Sequence, residues 1–581
     1  MRKISVADYF VEFLIANKVT DVFGYQGGMI AYIFDSLGKY RNEINYHSCG
    51  SEQGAALAAC GYAQTTGKMG VAISTSGPGF TNLLTGMADA WFDSVPVLFV
   101  SGNVNTKDKK RTSGFRQNGF QEIQAAEMAR PITKKSVEIE LGMDFKKVFD
   151  DAINTAMSDR MGPVYLDLPI NICREMVEFE EIIPYKRKVV SHMEVNKIFT
   201  ELIQAEKPVI IAGAGIKQAN VKDAFRELIE LLRIPVLSTM PAIDLLPSNH
   251  ELMMGYIGGT ARREAGIALQ NADFVLTVGT RLCSKQIGHN MSIFAPKAKK
   301  IYRVDIDATE FERHLKETEI DITANLRTFI NDCLSYVKEN EITFNKTEWT
   351  NYCKKMHSLL KEVDLTFANI LVKKITHMLP SNSNYVFDVG KNLNYCTQSA
   401  VIRENTTVFM SAGLGTMGYA IPAAIGLAYG SEKPIYVFTG DGGAQMNIQE
   451  LNTVAKNHLP IKMFVFNNKA LVNIRIFQEN YLDSRYVATS EKEGDYYSCD
   501  FTAIASAYGI EGIKINNLDD FEAYKEKLED NKPVLFEIIY EDCPALPGIV
   551  AGGEYLKENT GISHDTIQKI KSLMETSYDI K

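Results

Sequence analysis

Two apolar runs in the last third of the chain each end in residues that could bind a metal and a phosphate. Ile435–Thr439 leads into Gly440-Asp441-Gly442-Gly443, and Ile461–Phe466 ends in Asn467-Asn468. Glycines at a strand-to-helix turn let backbone N–H groups approach phosphate oxygens. Asp441 and Asn468 offer the oxygen ligands that Mg²⁺ prefers, and open α/β sheets bind ligands at the carboxyl ends of their strands. Either half alone could be an ordinary turn, but together they indicate a metal–phosphate site.

A second candidate lies in the first third, where one acid precedes a stretch of small residues. Glu52 opens EQGAALAACGYAQ, and Ser76-Gly77-Pro78-Gly79 follows the strand-like run Val71–Ser74. An acid at a helix N-terminus also stabilises the helix dipole, by about 0.3 to 1 kcal/mol. On its residues alone, Glu52 therefore has both a structural and a catalytic interpretation. His47 is near in sequence, but we interpret it as a packed or solvent-facing side chain.

Short β-branched runs alternate with helical patterns along the whole chain, which predicts parallel sheets covered by helices on both faces and an α/β fold. The clearest strand predictions are Val71–Ser74, Val95–Ser101, Val164–Leu168, Val209–Ala212, Phe274–Val278, Ile301–Ile306, Tyr385–Val389, Ile435–Thr439 and Ile461–Phe466. We interpret the polar stretches around 178–195 and 339–361 as linkers. The predicted domains are therefore 1–180, 190–340 and 362–542, followed by a tail or lid over 543–581.

Composition limits the classes of function. The chain has 581 residues and a net charge of −9, so no basic surplus exists to neutralise a nucleic acid, and we expect no nucleic-acid partner. Its nine cysteines are scattered without a CxxC pair, which is typical of reduced thiols in a cytoplasmic enzyme. The uncharged stretch 405–431 contains SAGLGTMG and Pro422. We interpret it as a turn and a core helix and expect no membrane span.

The motif in the last third resembles the thiamine diphosphate fingerprint, because the second Asn of NN follows the Asp of GDG by 27 residues. The resemblance implies that Asp441, Asn468 and the backbone carbonyl of Ala470 hold Mg²⁺ on the cofactor diphosphate. It also implies that Gly440, Gly442 and Gly443 contact the cofactor.

The first third resembles the pyrimidine-binding domain of acetolactate synthases, through SEQGAALAACGYAQ and SGPG. In that family the acid hydrogen-bonds a ring nitrogen of the aminopyrimidine and favours the imino tautomer that removes the thiazolium proton. The resemblance gives this role to Glu52. The glycine loops VFGYQGGMI and SGPG imply that Gly28 and Gly77 contact the cofactor, and GFQE implies that Phe120 and Gln121 face the substrate.

The stretch SAGLGTMGYAIPAAIG, residues 411–426, resembles the segment that bends the cofactor. The resemblance implies that Met417 props the cofactor and that the Gly415 carbonyl accepts from the pyrimidine amino group, with Gly390 at the same site. Core packing is the alternative for Met417. The fold implied is three doubly wound parallel-sheet domains: pyrimidine-binding, central and diphosphate-binding.

The middle third, with PVIIAGAGI, DFVLTVGTRL and IYRVDIDATE, resembles the central domain of the family, which binds FAD in some members. Gly213 and Gly215 form only a GxG, which is a weak dinucleotide motif. Arg281-Leu282-Cys283-Ser284 stands where FAD-binding members often carry Arg-Phe-Asp-Asp. A FAD site and a purely structural domain both stay open.

Three residues depart from housekeeping acetolactate synthases. Phe477 stands where those enzymes place a tryptophan that selects the acceptor, Ile170 where they often carry a lysine, and Gln26 where they usually have proline. The first two positions lie where the acceptor enters. The resemblance therefore leaves the cofactor residues intact but puts the identity of the acceptor in question.

These residues imply an enzyme that depends on thiamine diphosphate and Mg²⁺, decarboxylates a 2-oxo acid such as pyruvate, and transfers the acyl unit to an acceptor carbonyl. One alternative is a specialised carboligase acting on a keto-sugar in surface-polysaccharide biosynthesis, towards which RQNGFQE (116–122) points. A simple decarboxylase or oxidase and an inactive cofactor-binding subunit are the others. Members of the family form their site between subunits, so the resemblance implies a homodimer or homotetramer.

Overall fold

The computed structural model describes residues 2–109, 114, 116–186, 192–344, 347–361 and 365–540, together with 564, 565, 567–569 and 572. The predicted tail over 543–581 lies almost entirely outside these residues. The chain divides into two compact units. The first contains Met1–Lys188, Asn384–Gly390 and Phe409–Tyr540, and the second contains Val189–Ser383, Lys391–Val408 and Glu541–Lys581.

The N-terminal part of the first unit contains a six-stranded parallel sheet, a two-stranded ribbon and the helices that connect the strands. Its strands are β1 Arg2–Ser5, β2 Asp21–Gly24, β3 Asn45–Ser48, β4 Gly70–Ser74, β5 Val97–Asn103, β6 Lys135–Glu138, β7 Val164–Pro169 and β8 Met176–Phe179. Its helices are α1 Val6–Ala16, α2 Ala31–Lys39, α3 Glu52–Thr66, α4 Pro78–Phe92, α5 Ala125–Ala129 and α6 Phe145–Met157. The strand order is β3-β2-β4-β5-β7-β6, and β1 pairs with β8 in a separate antiparallel ribbon.

The second unit is built on another six-stranded parallel sheet. Its strands are β9 Pro208–Ala212, β10 Val236–Ser238, β11 Met253–Tyr256, β12 Phe274–Val278, β13 Lys300–Asp305 and β14 Glu319–Thr323, in the order β11-β10-β9-β12-β13-β14. Its helices are α7 Asn196–Gln204, α8 Gly215–Gln218, α9 Lys222–Leu232, α10 Arg263–Asn271, α11 Ser284–Ile287, α12 Leu326–Glu339, α13 Thr347–Leu360, α14 Phe367–Met378 and α15 Lys391–Ser399.

The third sheet forms the C-terminal part of the first unit. Its strands are β15 Asn384–Phe387, β16 Thr407–Met410, β17 Ile435–Gly440, β18 Ile461–Asn467, β19 Glu511–Ile515 and β20 Val534–Ile539, in the order β16-β15-β17-β18-β20-β19. The helices are α16 Ala420–Gly430, α17 Asp441–Met446, α18 Leu451–Lys456, α19 Val472–Tyr481, α20 Phe501–Ala507 and α21 Lys525–Glu529. The α/β class and all nine predicted strands are confirmed.

Two helices made of small residues join the halves of the first unit. α3 and α16 lie in one buried cluster, and their backbones approach closely at glycines. A Cβ on Gly426 would overlap the Ala58 carbonyl oxygen, and a Cβ on Gly61 would overlap that of Ala423. Because α3 begins at Glu52, this packing also determines where that acid lies.

One predicted linker is wrong. The stretch 339–361 contains α13, which buries Trp349, Cys353, Met356 and Leu360 in the core of the second unit. The Trp349 indole N–H donates to the Pro208 carbonyl at 2.9 Å. These four positions have helical spacing, and the charged residues between them conceal it. In the other predicted linker, 178–195, residues 187–191 lie outside the described residues.

The interpretation of 405–431 as a turn and a core helix is confirmed, because α16 is buried along most of its length. None of the helices in the described ranges has both the length and the apolarity needed to cross a membrane. The eight cysteines that lie in those ranges are all free thiols.

Candidate functional site

The metal–phosphate motif lies at the carboxyl edge of the C-terminal sheet. β17 and β18 are parallel neighbours whose register pairs Gly440 with Phe466. The residues that follow, Asp441 on one strand and Asn467 on the other, therefore lie side by side. This arrangement confirms that the two motifs follow neighbouring strands. Gly440 is the N-cap of α17, which begins at Asp441.

Asp441 is a buried acid, and only one of its two carboxylate oxygens accepts a hydrogen bond within the described residues. Its Oδ1 accepts a hydrogen bond from the Gly442 N–H at 3.0 Å, whereas Oδ2 is buried and has no hydrogen-bond partner among the described residues. Burial raises the pKa of Asp441 to about 6, and the nearby Gly442, Tyr496 and Ser498 offset only part of that effect. A divalent cation would satisfy such an oxygen, so this donor fits the predicted metal.

The two asparagines after β18 have different surroundings. Asn467 is buried, donates to Glu537 Oε1 at 2.7 Å and accepts from Ser498 Oγ at 2.9 Å. Asn468 is only partly buried; its Oδ1 accepts from the Ala470 N–H at 3.2 Å and its amide donates to the Tyr540 hydroxyl at 3.2 Å. Asn467 is thus used inside the fold. Asn468, the asparagine that the sequence assigns to the metal, is the more accessible of the two.

The glycine turn after β17 has no room for side chains. A Cβ on Gly442 would lie 2.7 Å from Leu471 Cδ2 and 3.2 Å from Met417 Cε, and a Cβ on Gly443 would lie 2.8 Å from Thr439 Oγ1. Met417, which the resemblance expects at the cofactor, therefore contacts the same turn that carries Asp441. Both positions therefore require glycine, because the neighbouring side chains leave no room for a Cβ.

A further acid, which sequence reasoning missed, follows β15. Asp388 is fully buried and accepts from the N–H groups of Val389 at 2.7 Å and Gly418 at 2.9 Å, and from Thr439 Oγ1 at 3.0 Å. Burial raises its pKa to about 6. The sequence signal was an acid near the end of the predicted strand Tyr385–Val389, two residues before Gly390. In the structure Gly390 has a φ of +137°, which favours glycine.

Asp89 of α4 and Asp93, the C-cap of that helix, hold the segment that carries Gly415 and Met417. Buried Asp89 accepts hydrogen bonds from the hydroxyls of Ser411 and, at 2.8 Å, Thr416. The Ser411 hydroxyl oxygen in turn accepts from the N–H groups of Gly415 at 3.1 Å and Thr416 at 2.9 Å. Burial and the neighbouring Asp93 raise the pKa of Asp89. Asp93 itself accepts from the backbone of residues 412 and 413. The sequence signal for this pair was two acids four residues apart at the C-terminal end of α4.

Glu52 is the first residue of α3, and its N-cap is Ser51. Its Oε2 accepts from Asn82 Nδ2 at 3.0 Å, and Oε1 lies 3.4 Å from where a Cβ on Gly79 would be. The side chain is only partly buried. The SGPG turn predicted at the site therefore lies against Glu52, and the carboxylate is accessible.

Glu450 fixes the start of the Glu52 helix. It is fully buried and accepts from the Gly50 N–H at 2.9 Å, the Ser51 hydroxyl at 3.3 Å and the Thr453 hydroxyl at 3.0 Å. Burial raises its pKa. Sequence reasoning missed this acid because its partner Gly50 is 400 residues away along the chain.

The predicted substrate-facing loop packs on the SGPG turn. Gly77 and Gln121 both have positive φ, +59° and +62°, and a Cβ on Gly77 would lie 2.9 Å from Gln121 Cβ. Phe120 is 78% exposed. The same loop borders an open cavity of about 370 Å³, lined by Arg116, Glu122, Ile123, Gln124, Glu127 and Met128.

Two other predicted residues lie in open surroundings. No atom lies within 4 Å of where a Cβ on Gly28 would be, whereas a Cβ on Gly27 would lie 2.5 Å from Thr75 Cβ. The steric need for glycine in this loop therefore falls on Gly27. Phe477 is 53% exposed on α19 and packs on Tyr481, with ring centroids 4.9 Å apart.

The GxG of the middle domain is used in packing. The Gly213 N–H donates to the Val278 carbonyl at 2.8 Å, and the Gly215 N–H donates to the Gly279 carbonyl at 3.1 Å. A Cβ on Gly213 would overlap the Gly279 carbonyl oxygen. These contacts account for both glycines without a dinucleotide.

The fold and the glycine–aspartate turn define a class of cofactor-dependent enzyme. Models of the thiamine pyrophosphate enzyme family match three parts of the chain: the N-terminal TPP binding domain over 4–128, the central domain over 195–333 and the C-terminal TPP binding domain over 388–538. The chain belongs to the thiamine pyrophosphate enzyme family.

Within that family, the chain is similar to acetolactate synthase large subunits. It is 30% identical to the acetolactate synthase isozyme 2 large subunit of Escherichia coli, over 95% of this chain and 99% of that protein. It is 31% identical to the probable acetolactate synthase large subunit of Methanocaldococcus jannaschii, over 94% of each chain. It is 30% identical to the acetolactate synthase large subunit of Lactococcus lactis, over 93% of each chain. The family resemblance found in the motifs is confirmed.

Proposed function

We propose that the protein is an acetolactate-synthase-like carboligase, which decarboxylates pyruvate or a related 2-oxo acid and transfers the acyl unit to a second carbonyl compound. The observation that carries the proposal is Asp441, whose unpartnered buried oxygen lies beside a glycine turn with no room for side chains. Full-length similarity to acetolactate synthases supports it.

The proposal gives each part of the site a task. Asp441, Asn468 and the Ala470 carbonyl hold Mg²⁺, and Gly440, Gly442 and Gly443 leave space for the diphosphate. Bound thiamine diphosphate supplies the electron sink for loss of carbon dioxide. Glu52 holds the proton at the pyrimidine ring. Asn82 and Glu450 support that role, because one hydrogen-bonds the Glu52 carboxylate and the other fixes the start of its helix.

Wider features of the proposal follow the family. We propose an N-terminal domain over 1–180, a middle domain that extends past residue 340 to include α13, and a C-terminal domain that follows it. We also propose a cytoplasmic location and a homodimer or homotetramer. Exposed apolar side chains support self-association, since Leu414, Met446 and Phe477 are 40%, 57% and 53% exposed. The resemblance of the middle domain leaves FAD binding open, and no step of the proposed reaction uses FAD.

A second candidate, a carboligase with another acceptor, is favoured by Phe477. This exposed ring stands where the housekeeping enzymes place tryptophan, so the acceptor contacts differ. Phe477→Trp tests the position, since a changed ratio of 2-oxobutyrate to pyruvate use as acceptor would place residue 477 at the acceptor.

The test of both candidates is to incubate the purified protein with pyruvate, thiamine diphosphate and Mg²⁺ and to quantify carbon dioxide and acetolactate together. Equal formation of both products supports acetolactate synthesis. Turnover that starts only when a keto-sugar or another carbonyl is added supports the second candidate. Carbon dioxide without a condensation product would indicate a simple decarboxylase, and no turnover with any 2-oxo acid would refute the proposal.

A further inference from the structure

The segment after α19 folds back onto the carboxyl edge of the C-terminal sheet, just beyond the end of β18. Ala470 and Ser490 form an antiparallel bridge. On either side of it, the Leu471 N–H donates to the Thr489 carbonyl at 2.8 Å and the Glu491 N–H donates to the Lys469 carbonyl at 3.1 Å. We call residues 489–499 the return segment. It begins directly beside one of the proposed metal ligands, Ala470.

Side-chain contacts fix the far end of the return segment. The Ser498 N–H donates to Glu491 Oε1 at 2.8 Å, and the Ser498 hydroxyl donates to Asn467 Oδ1 at 2.9 Å. Glu491 also forms an ion pair with Lys469 at 3.0 Å. Because both ends are tied to the residues that follow β18, the intervening residues are held close to the glycine–aspartate turn.

Within the return segment, the Tyr496 side chain extends towards the glycine–aspartate turn. Its hydroxyl lies beside the Asp441 carboxylate. It is also 3.4 Å from where a Cβ on Gly442 would be, a point that is 3.2 Å from Met417 Cε. Tyr497, the next residue, is 79% exposed. The two adjacent tyrosines therefore have opposite surroundings, and only Tyr496 reaches the proposed cofactor site.

The Tyr496 hydroxyl can donate a hydrogen bond to an anionic group bound at the glycine–aspartate turn. A tyrosine hydroxyl donates one hydrogen bond, and hydrogen bonds to charged groups are the stronger ones. Resting on the proposed function, we propose that Tyr496 belongs to the metal–diphosphate site and donates its hydroxyl hydrogen to the anionic group held at Asp441 and Gly442. None of the sequence motifs that point to the cofactor contains this residue.

Calorimetric titration of thiamine diphosphate into the full-length protein, in excess Mg²⁺, tests the assignment without measuring activity. Tyr496→Phe keeps the ring and removes only the hydroxyl, and Tyr497→Phe is the matched control. Loss of a hydrogen bond to a charged group should raise the Kd of Y496F about 10- to 100-fold. The Kd of Y497F should equal that of the wild type.

Other outcomes would overturn the assignment. An unchanged Kd in Y496F would show that the hydroxyl makes no contact, and a lower Kd would show that it occupies space the ligand needs. Glu491→Ala removes the acceptor of the Ser498 N–H and the ion pair with Lys469 but keeps the Tyr496 hydroxyl. It separates contact from order, because an equal loss in E491A would assign the effect to the return segment. A wild-type protein that binds no thiamine diphosphate would instead refute the proposed function.

Discussion

Replacing Asp441 with asparagine should stabilise the cofactor-free protein while removing the proposed metal site. Asp441 is 3% exposed, and burial raises its pKa from the usual 3.8 to about 6. At neutral pH the folded protein therefore holds a charge in a place that favours the neutral acid. Asparagine has nearly the same shape, carries no charge, and can still accept from the Gly442 N–H.

The magnitude follows from the linkage between pKa and stability. Since one pKa unit corresponds to about 1.4 kcal/mol, the rise from 3.8 to about 6 costs the folded state on the order of 3 kcal/mol above pH 6. The folded pKa is the higher one, so the cost is absent below pH 3.8 and grows as the pH rises. Asp441→Asn should gain about 3 kcal/mol at pH 7.5 and about half of that at pH 5.

Urea unfolding of the protein in a chelating buffer, at both pH values, measures this gain, and calorimetry should show that D441N no longer binds thiamine diphosphate with Mg²⁺. Asp388→Asn is the matched control, because Asp388 is equally buried and its pKa is also raised to about 6. Its oxygens, however, accept from backbone N–H groups and Thr439. D388N loses the same unfavourable charge, but its amide NH₂ faces those donors unsatisfied at a cost of about 1 to 3 kcal/mol, so D388N should be stabilised clearly less than D441N.

A clearly larger gain in D441N than in D388N would support the reasoning, since both variants remove one charge from the same sheet edge. A D441N protein no more stable than the wild type at pH 7.5 would refute it. A gain that does not shrink at pH 5 would refute it as well, because the effect would then not be electrostatic.

Three further predictions concern the residues around the site. Glu52→Gln should lower kcat about 100- to 10,000-fold, as loss of an acid–base group does, while the calorimetric Kd of thiamine diphosphate stays within about threefold; a retained kcat would exclude Glu52 as the proton-handling group. Ser411→Ala should lower the free energy of unfolding by about 2 kcal/mol or more in urea, because the Gly415 and Thr416 amides lose their acceptor; wild-type stability would contradict this. Gly426→Ala should destabilise by about 1 to 3 kcal/mol or more through overlap with Ala58. Gly38→Ala is the control, because Gly38 lies in α2 and no neighbouring atom of the described residues is within 4 Å of the new Cβ; it should stabilise the protein by up to about 1 kcal/mol. Equal effects of Gly426→Ala and Gly38→Ala would contradict the packing of α3 on α16.

The limits of sequence reasoning are visible in α13. Strands such as β12 are apolar at all but one position, so a short stretch of sequence identifies them. In α13 the buried residues Trp349, Cys353 and Met356 are separated by lysines and threonines, and the average over the stretch is polar. Only the packing of these residues against the rest of the second unit shows that the helix belongs to a core.

The sequence by itself determined the class of fold, the cofactor family and the pair of neighbouring strands that lead to Asp441 and Asn468. These features follow from local patterns, because a strand, a glycine turn, a helix and the next parallel strand lie within about 30 residues. A connection this short usually places the two strands side by side, with their carboxyl ends at the same edge of the sheet. The tertiary structure alone decided which other groups surround them. Glu450 holds Gly50 across 400 residues and Asp89 holds Ser411 across 322, and Tyr496 reaches Asp441 only because the return segment folds back. Such contacts depend on how separate elements pack, and no periodicity within a single element encodes that packing.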